Sequence, residues 1–369
     1  MKENVLQRHE RLQTDKKIAD FMVKQKMSYE FKRNYARIRA EEFIRECDKR
    51  ELNTHVSVGG LDSITLLCFL RSIHIDVPAI SVSSLEDKSI QKVHKQLGVE
   101  VVHPIKPKVQ VIKEFGYPVL SKEIAGKIAM LQKGTPESAT VRHAIITGET
   151  GEYGGNRTGT RMKLSQRWLE KFGGADPEGA ALGYAAAPFL VSDRCCYYLK
   201  EKPCDDWARA HNSVPFLGLM ASEGGRRSKS LMMNGCNYFG ESTIRSAPFA
   251  IFMRQDLLQL ALDLNVPIPE IYGEIVRDMD GTLRTTGAQR TGCSMCGFGI
   301  QLEKRPHRFD KLYWQNPKEW EFWMKNADKL PDGTPYGWGH ILDYIGVGWA
   351  DPWEYFPDTQ SQLSLFQNL

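Results

Sequence analysis

The sequence predicts an α/β protein in which a parallel sheet is flanked by helices. Between residues 54 and 105, short apolar runs typical of buried strands alternate with runs of helical periodicity, as in consecutive βαβ units. The chain is also long enough, at 369 residues of which 41% are hydrophobic, to bury a sizeable core. At ~150 residues per domain, this length indicates about two domains.

The first 50 residues are predicted to form a basic helical arm. Over residues 28–50, apolar side chains recur at roughly helical intervals, which predicts an amphipathic helix that covers the next unit. Residues 1–50 hold 14 Lys or Arg against 9 Asp or Glu. This surplus suits contact with an anionic partner, although it is more often only a solvated helical face.

The following region is predicted to form the sheet. The assigned strands are 54–58, 79–83 and 99–105, and the assigned helices run from Ser63 to about His74 and over 89–98. Right-handed crossovers make such strands parallel. The apolar runs 143–148 and 215–222 are predicted to add further strands to the same sheet.

Three further stretches complete the organisation. Residues 148–161 are rich in Gly and charge, which indicates either a mobile loop beside a site or a surface excursion. Residues 250–265 have the pattern of an amphipathic helix, and 285–369 hold a C-x-x-C and six of the eight tryptophans. We therefore predict an arm at 1–50, an α/β domain at 51–250 and a mainly helical C-terminal region at 251–369.

The stretch HVSVGGLDSITLLCFL, residues 55–70, places a glycine pair between a strand pattern and a helix pattern. In a βα unit, this turn presents backbone N–H groups at the helix N-terminus, where the helix dipole also favours an anion. Gly59 and Gly60 let a phosphate approach, Ser57 and Ser63 can donate hydroxyl hydrogen bonds, and Asp62 can hold Mg²⁺ or cap the helix. The turn lacks the Gly-Lys-Ser/Thr of a Walker loop. It predicts a phosphate site, with a plain tight turn as the alternative.

Four cysteines form two close pairs. Cys195 and Cys196 are adjacent, and Cys293 and Cys296 form the C-x-x-C. Two such pairs far apart in sequence can bring four thiolates to one metal centre, and both zinc and an iron–sulfur cluster suit them. A directly adjacent pair is unusual for structural zinc, which favours iron–sulfur. Otherwise Cys195 and Cys196 are simply small buried residues.

The remaining cysteines are less informative. Cys236, in MNGCN, is a metal ligand, a reactive thiol or a structural residue. The other three, which lie in helical or charged contexts and are expected to be structural, are Cys47, Cys68 and Cys204. Eight cysteines are too few for a disulfide scaffold in a chain of this length, so a reducing compartment is expected.

With both motifs, the chain resembles the phosphoadenosine phosphosulfate (PAPS) reductase family, an iron–sulfur branch of the PP-loop ATP pyrophosphatases, whose fold is adenine nucleotide alpha hydrolase-like. The resemblance runs from about Phe31 to Trp349. It rests on VSVGGLDS, EFGYPVLSK, SDRCCYYLKEKP, MASEGGRR with NGCN, and RTGCSMCGFGIQLEKRPHRF. The resemblance implies a PP-loop sheet that binds ATP and Mg²⁺ through Ser57, Gly59, Gly60, Asp62 and Ser63.

The resemblance also implies roles for residues outside the loop. The cysteines implied to hold a 4Fe-4S cluster are Cys195, Cys196, Cys293 and Cys296. Glu223 and Arg227 match the family's Glu-Ser-x-x-Arg, with Gly224 at the serine position, so Arg227 is implied to contact phosphate. Lys122 is implied to play a similar part. Plain surface charge is the alternative for each.

Departures from the family pattern shape the expected reaction. Val58 stands where the motif has its first serine, and Leu61 stands where sulfur-transfer members often have lysine. The reductases use a cysteine near the C-terminus as nucleophile, and here no cysteine follows Cys296. We therefore expect ATP-dependent adenylation of an acceptor and sulfur transfer to it, with Asp62 and Arg227 in catalysis. The alternatives are a sulfonucleotide reductase with Cys236 as nucleophile and a non-catalytic nucleotide-sensing module.

Location and partners follow from the same features. No apolar run approaches the ~18 residues of a spanning helix, and the N-terminus lacks a signal-peptide core, so a cytoplasmic protein without a membrane partner is expected. The basic arm makes tRNA or DNA the expected acceptor. A sulfur or electron donor protein is also expected, and a homo-oligomer is left open.

Overall fold

A computed structural model of the chain describes residues 5–150, 161–293, 295–330 and 332–355, except for the side chains of 5–11 and 225–227. Its α-helices are α1 Val5–Gln25, α2 Tyr29–Lys49, α3 Leu61–Ser72, α4 Lys88–Gln96, α5 Lys108–Phe115, α6 Lys122–Lys133, α7 Ala139–Thr147, α8 Gln166–Phe172, α9 Pro177–Ala181, α10 Arg194–Cys196, α11 Lys202–Ala210, α12 Gly225–Asn234, α13 Arg254–Asp263, α14 Arg308–Gln315, α15 Pro317–Lys325 and α16 Trp338–Ile345. Its strands are β1 Asn53–Ser57, β2 Ala79–Ser81, β3 Glu100–Val101, β4 Val119–Leu120, β5 Ser213–Leu217, β6 Asn237–Phe239, β7 Ile244–Ser246, β8 Ile275–Arg277, β9 Leu283–Thr285, β10 Gly297–Phe298, β11 Asp328–Lys329 and β12 Pro335–Tyr336.

The chain forms two compact units, each built from two stretches. The first unit combines residues 1–104 with 200–294, and the second combines 105–199 with 295–369. The predicted division at about residues 50 and 250 remains a prediction, and the contacts group the chain differently.

A mostly parallel six-stranded sheet with helices packed against it forms the centre of the first unit, so the predicted α/β class is confirmed. The strand order is β3-β2-β1-β5-β7-β6, and only β6 runs antiparallel to its neighbour. The chain adds β2 and β3 on one side of β1 and the later strands on the other side. The order therefore reverses between β1 and β5, the place where open α/β sheets bind ligands.

The predicted helix over 28–50 is confirmed as α2, and it covers this sheet. Its buried residues Ala36, Ala40, Phe43 and Cys47 recur every three or four positions, which places them on one face. The Phe43 ring meets the Phe216 ring of β5 edge to face, with centroids 4.9 Å apart.

Two predicted strands need correction. Residues 143–148 belong to helix α7 in the second unit, not to the sheet. Their apolar run packs Ala144, Ile145 and Ile146 into the core, and so short a run has the same pattern in a buried helical turn as in a strand. The run 215–222 is a strand only as far as Leu217.

The other predicted elements are confirmed with shifted ends. The strands β2 and β3 are shorter than predicted, and α3 begins at Leu61 instead of Ser63. The predicted helix over 250–265 is α13. Of the predicted loop 148–161, residues 151–160 lie outside the described part of the chain.

The second unit has its own aromatic core. Trp338 of α16 is fully buried, and its ring lies 5.1 Å from that of Tyr117, edge to face. The parallel strands β4 and β10 pair beside it. Among the described residues, no helix is both long and apolar enough to cross a membrane.

We expect Lys32→Met to lower the free energy of unfolding by roughly 3–5 kcal/mol. Lys32 Nζ lies 2.7 Å from Asp256 Oδ2, and both side chains are buried, so the substitution leaves the carboxylate charged without its partner. Urea denaturation measures the loss. Arg33→Gln, at an exposed neighbour 3.8 Å from Asp263, is the control and should cost about 1 kcal/mol or less. Equal losses in both variants would contradict this role of the buried pair.

Candidate phosphate-binding site

A cavity of about 360 Å³ lies in the first unit at the carboxyl ends of β1 and β5. The β1–α3 turn forms one wall, from Ser57 through Ser63. The other walls carry charged side chains, which are Glu86, Lys200, Glu223, Arg254 and Arg290. The glycine turn therefore opens into a charged cavity at the point where the strand order reverses.

Backbone donors of the turn face this cavity. The Gly59 N–H donates to Ser63 Oγ at 2.7 Å, and the Leu61 N–H donates to Tyr272 Oη at 3.1 Å. The N–H groups of Gly60, Asp62 and Ser63 have no acceptor among the described residues. Three donors lie at the N-terminus of the twelve-residue helix α3, where the dipole is positive, so they could hold an anion.

His94 is hydrogen-bonded to the backbone of the turn. Its Nε2 lies 2.8 Å from the Gly59 carbonyl oxygen, and its Nδ1 lies 2.8 Å from Ser83 Oγ. Burial lowers the pKa of His94, so the ring is neutral near pH 7. Since a carbonyl can only accept, Nε2 carries the proton and Nδ1 accepts from the Ser83 hydroxyl.

Two glycines of the site are required for close packing. A Cβ on Gly60 would lie 2.4 Å from Tyr272 Oη, and a Cβ on Gly218 would lie 2.8 Å from Ser63 Cα. Gly59 differs, because the nearest atoms to its added Cβ are 3.8 Å away. The Tyr272 hydroxyl is hydrogen-bonded to Thr291 Oγ1 at 2.7 Å. Tyr272 and Gly218, the residue after β5, therefore both pack closely against the turn.

Two ion pairs join charged side chains of the cavity to one another. Arg254 Nη1 lies 2.6 Å from Asp62 Oδ1, and Lys200 Nζ lies 2.5 Å from Glu86 Oε1. Burial raises the pKa of Asp62, and Glu223 adds to the rise while Arg254 opposes it. Asp62 and Glu223 are thus close enough to repel each other. Carboxylate oxygens are suitable ligands for Mg²⁺.

Lys200 connects the cavity to a cysteine. Its burial lowers its pKa, but hydrogen bonds and charge interactions with Cys293 and Glu86 outweigh that effect and raise the pKa overall. Lys200 therefore stays an ammonium group between a carboxylate and a thiol. Cys293 is the first cysteine of the C-x-x-C.

The predicted loop residues are brought together. The six that line the cavity are Ser57, Gly59, Gly60, Asp62, Ser63 and Glu223. Arg227 lies on α12, but its side chain is outside the described part of the chain. Lys122 is the first residue of α6 and belongs to the second unit. Cys236 is buried and lines a different cavity of the first unit.

The four predicted metal ligands are divided between the units. Cys293 belongs to the first unit, and the other three belong to the second. None of the eight cysteines, all of them described, forms a disulfide. In the described part of the chain, no three His, Cys, Asp or Glu side chains form a group able to hold a metal ion. The cluster remains a proposal that rests on the chemistry of the four thiols.

The local structure around these cysteines is unusual. Cys195 and Cys196 lie on α10, which continues directly into a π-helical turn at Tyr197–Glu201. Such turns are rare and occur frequently at functional sites. Arg308 donates to the Cys296 carbonyl oxygen at 3.1 Å. A Cβ on the next residue, Gly297, would lie 2.4 Å from the Trp338 ring.

Several residues of the site were missed in the sequence. These are Glu86, His94, Lys200, Arg254 and Tyr272. Of these, only Lys200 could have been linked to the site from the sequence, because it follows Cys196 by one helical turn. The others come from distant segments and carry no motif.

Comparison with models of protein families and with curated proteins finds no match for this chain.

We expect Gly60→Ala to destabilise the protein by about 1–3 kcal/mol, because the new methyl group displaces the Tyr272 hydroxyl from Leu61 and Thr291. In a Tyr272→Phe background the closest ring atom is 3.7 Å from the added Cβ, so the same substitution should cost much less there. Urea denaturation of the unmodified protein, the two single variants and the double variant measures the coupling free energy between the two positions. An equal cost of Gly60→Ala in both backgrounds would show that Tyr272 does not confine the turn.

Proposed function

We propose that the first unit binds ATP, with its phosphates on the β1–α3 turn, and that the chain is a PP-loop enzyme of the PAPS reductase type. The observation that carries this proposal is the set of three N–H groups at the start of α3 that have no acceptor among the described residues, beside a cavity lined also by Lys200, Arg254 and Arg290. Phosphate oxygens accept hydrogen bonds from such groups and are attracted by the helix dipole. The strand-order reversal at the same place supports the assignment.

The proposed reaction has two steps. An acceptor oxygen attacks the α-phosphorus of ATP, the bond to the bridging oxygen breaks, and pyrophosphate leaves while the acceptor carries AMP. Sulfur at the oxidation level of sulfide then displaces AMP, so no outside reductant is required. The turn N–H groups, Lys200 and Arg254 stabilise the negative charge that develops on the departing pyrophosphate.

Asp62 is the residue that would hold Mg²⁺. The structure fits this role, because Asp62 lines the cavity and its carboxylate interacts electrostatically with that of Glu223. The ion, when bound, neutralises phosphate charge. Asp62 is paired with Arg254 in the structure, so an Asp62 carboxylate that held the ion would leave Arg254 available to a phosphate oxygen.

Cys195, Cys196, Cys293 and Cys296 would hold a 4Fe-4S cluster, with zinc as the alternative for the same thiols. A cluster would supply redox-active iron and sulfide. Four cysteine ligands leave the iron coordinatively closed, so sulfur carriage requires one thiol, such as Cys195, to be released. Lys200 contacts Cys293 and lines the phosphate cavity, so this residue would couple the thiol to the bound nucleotide electrostatically.

The acceptor in this proposal is tRNA or DNA, reached through the basic N-terminal arm, and the sulfur comes from a donor protein. A reductase with Cys236 as nucleophile receives less support from the geometry. Burial raises the pKa of Cys236 to about 12, so its reactive thiolate is scarce at neutral pH. Its side chain also lines a cavity that shares no residue with the phosphate cavity.

The test is pyrophosphate release from ATP by anaerobically purified protein with a measured iron and sulfide content. We expect release that depends on Mg²⁺ and falls about 100-fold in Asp62→Asn, since a carboxylate that stabilises transition-state charge is lost. Asp76→Asn is the matched control, because Asp76 is 89% exposed and lies outside the cavity. Equal release from Asp62→Asn and the unmodified protein would refute the assigned role.

Other outcomes identify the alternatives. Sulfite formed from adenylyl sulfate, without pyrophosphate release from ATP, would indicate a reductase. Tight ATP binding without turnover in cluster-loaded protein would indicate a sensing module. Iron-free protein with one zinc ion would replace the cluster by a zinc site and leave the loop assignment intact.

A further inference from the structure

A second cavity of the first unit lies between α2 and the edge strand β6, with a volume of about 520 Å³. It shares no lining residue with the phosphate cavity. One wall is a charged face of α2, and the other is the segment from Asn234 to Phe239. The volume lies within the range of clefts that bind small molecules or parts of larger ones.

The walls of this α2–β6 cavity have more positive than negative charge. Arg39, Arg45 and Lys49 line it together with Glu42 and Glu46, so three cations face two carboxylates. Arg39 pairs with Glu42 at 2.6 Å, and Lys49 lies 3.6 Å from Glu46. Arg45 has no acidic partner among the residues that the structure describes. Its guanidinium group is the charge left to attract an anion.

Two buried guanidinium donors near the cavity have no acceptor. They are Nε of Arg39, which lines the cavity, and Nη1 of Arg245 on β7. Arg245 is close enough to Cys236, at the cavity wall, for the two side chains to interact electrostatically. Each of these guanidinium groups lies over a tyrosine ring, Arg39 over Tyr35 at 5.0 Å and Arg245 over Tyr238 at 5.9 Å, and the unpaired N–H donors could still take an anionic acceptor. The planar guanidinium group matches phosphate oxygens in particular.

The remaining polar groups of the cavity do not repel an anion. Tyr35 is hydrogen-bonded to Cys236, and burial raises the pKa values of both side chains to about 12. The thiol and the phenol are therefore neutral at pH 7. Lys24 lies 5.5 Å from the centre of the Tyr35 ring and adds another positive charge nearby.

We propose that the α2–β6 cavity binds a phosphate group, held by Arg39 and Arg45, at a site separate from the ATP phosphates. The phosphate could belong to a nucleic-acid strand or to a free small molecule. The outer surface of α2 favours the strand, because two further exposed arginines of this helix, Arg33 and Arg37, lie outside the cavity. This inference does not depend on the proposed ATP chemistry.

The test is fluorescence anisotropy of a short labelled single-stranded oligonucleotide at low salt, with inorganic phosphate as competitor. We expect Arg39→Gln and Arg45→Gln each to weaken binding about tenfold, and Arg45→Gln to reduce the salt slope by about 0.7 for the lost phosphate contact. Arg284→Gln is the matched control. Arg284 belongs to the same unit, pairs with Asp278 at 2.9 Å and does not line the cavity.

The outcomes separate the two sources of phosphate. Weak competition by phosphate, with salt-sensitive oligonucleotide binding, indicates a nucleic-acid strand. Phosphate that displaces the oligonucleotide at similar concentration indicates a small ligand, and both results support the site. Two results overturn it: no binding of either probe, or equal affinity in all three variants. Thermal midpoints show whether Arg39→Gln folds, and Arg45→Gln keeps the test valid if it does not, because Arg45 is exposed.

Discussion

The fold of the first unit depends on how closely the β1–α3 turn is confined. Gly60 packs closely against the Tyr272 hydroxyl, and Gly218 packs closely against the backbone of Ser63. His94 is hydrogen-bonded to the Gly59 carbonyl oxygen. The turn and the three residues that contact it belong to four separate segments of the chain. These contacts fix the turn at the start of α3, where the amides of Gly60, Asp62 and Ser63 have no acceptor among the described residues, as is usual for the first N–H groups of a helix. Rigid donors of this kind require little reorganisation when an anion binds.

The charges around the turn complement this arrangement. Asp62 and Glu86 are neutralised by Arg254 and Lys200, so the cavity holds buried charge without strong net repulsion. Under the proposed function, the same pairs would be exchanged for a metal ion and phosphate oxygens on nucleotide binding. Lys200 has a second partner in Cys293, so it relates the turn to the first cysteine of the C-x-x-C.

The parts of the fold and site that depend on contiguous sequence could be predicted. The parts that depend on contacts between distant residues could not. The strand, the glycine turn and the helix from residue 53 to 72 were predictable, because their periodicity and turn residues are contiguous. The strand predicted at 143–148 is a helix, since a short apolar run does not distinguish the two. Tyr272 and Arg254 could not be assigned to the site, because their roles arise from packing between residues about 190 to 210 positions apart. Cys236 was ambiguous in sequence, and its burial beside Tyr35 and Arg39 distinguishes it from an exposed reactive thiol.

The most direct measurement of the central claim is amide hydrogen exchange in the peptides that cover Gly59 to Ser63, with and without Mg²⁺-ATP. The account predicts that the nucleotide slows exchange in this segment, because the amides of Gly60, Asp62 and Ser63 acquire phosphate acceptors. Unchanged exchange there, in protein to which ATP is demonstrably bound, would contradict it.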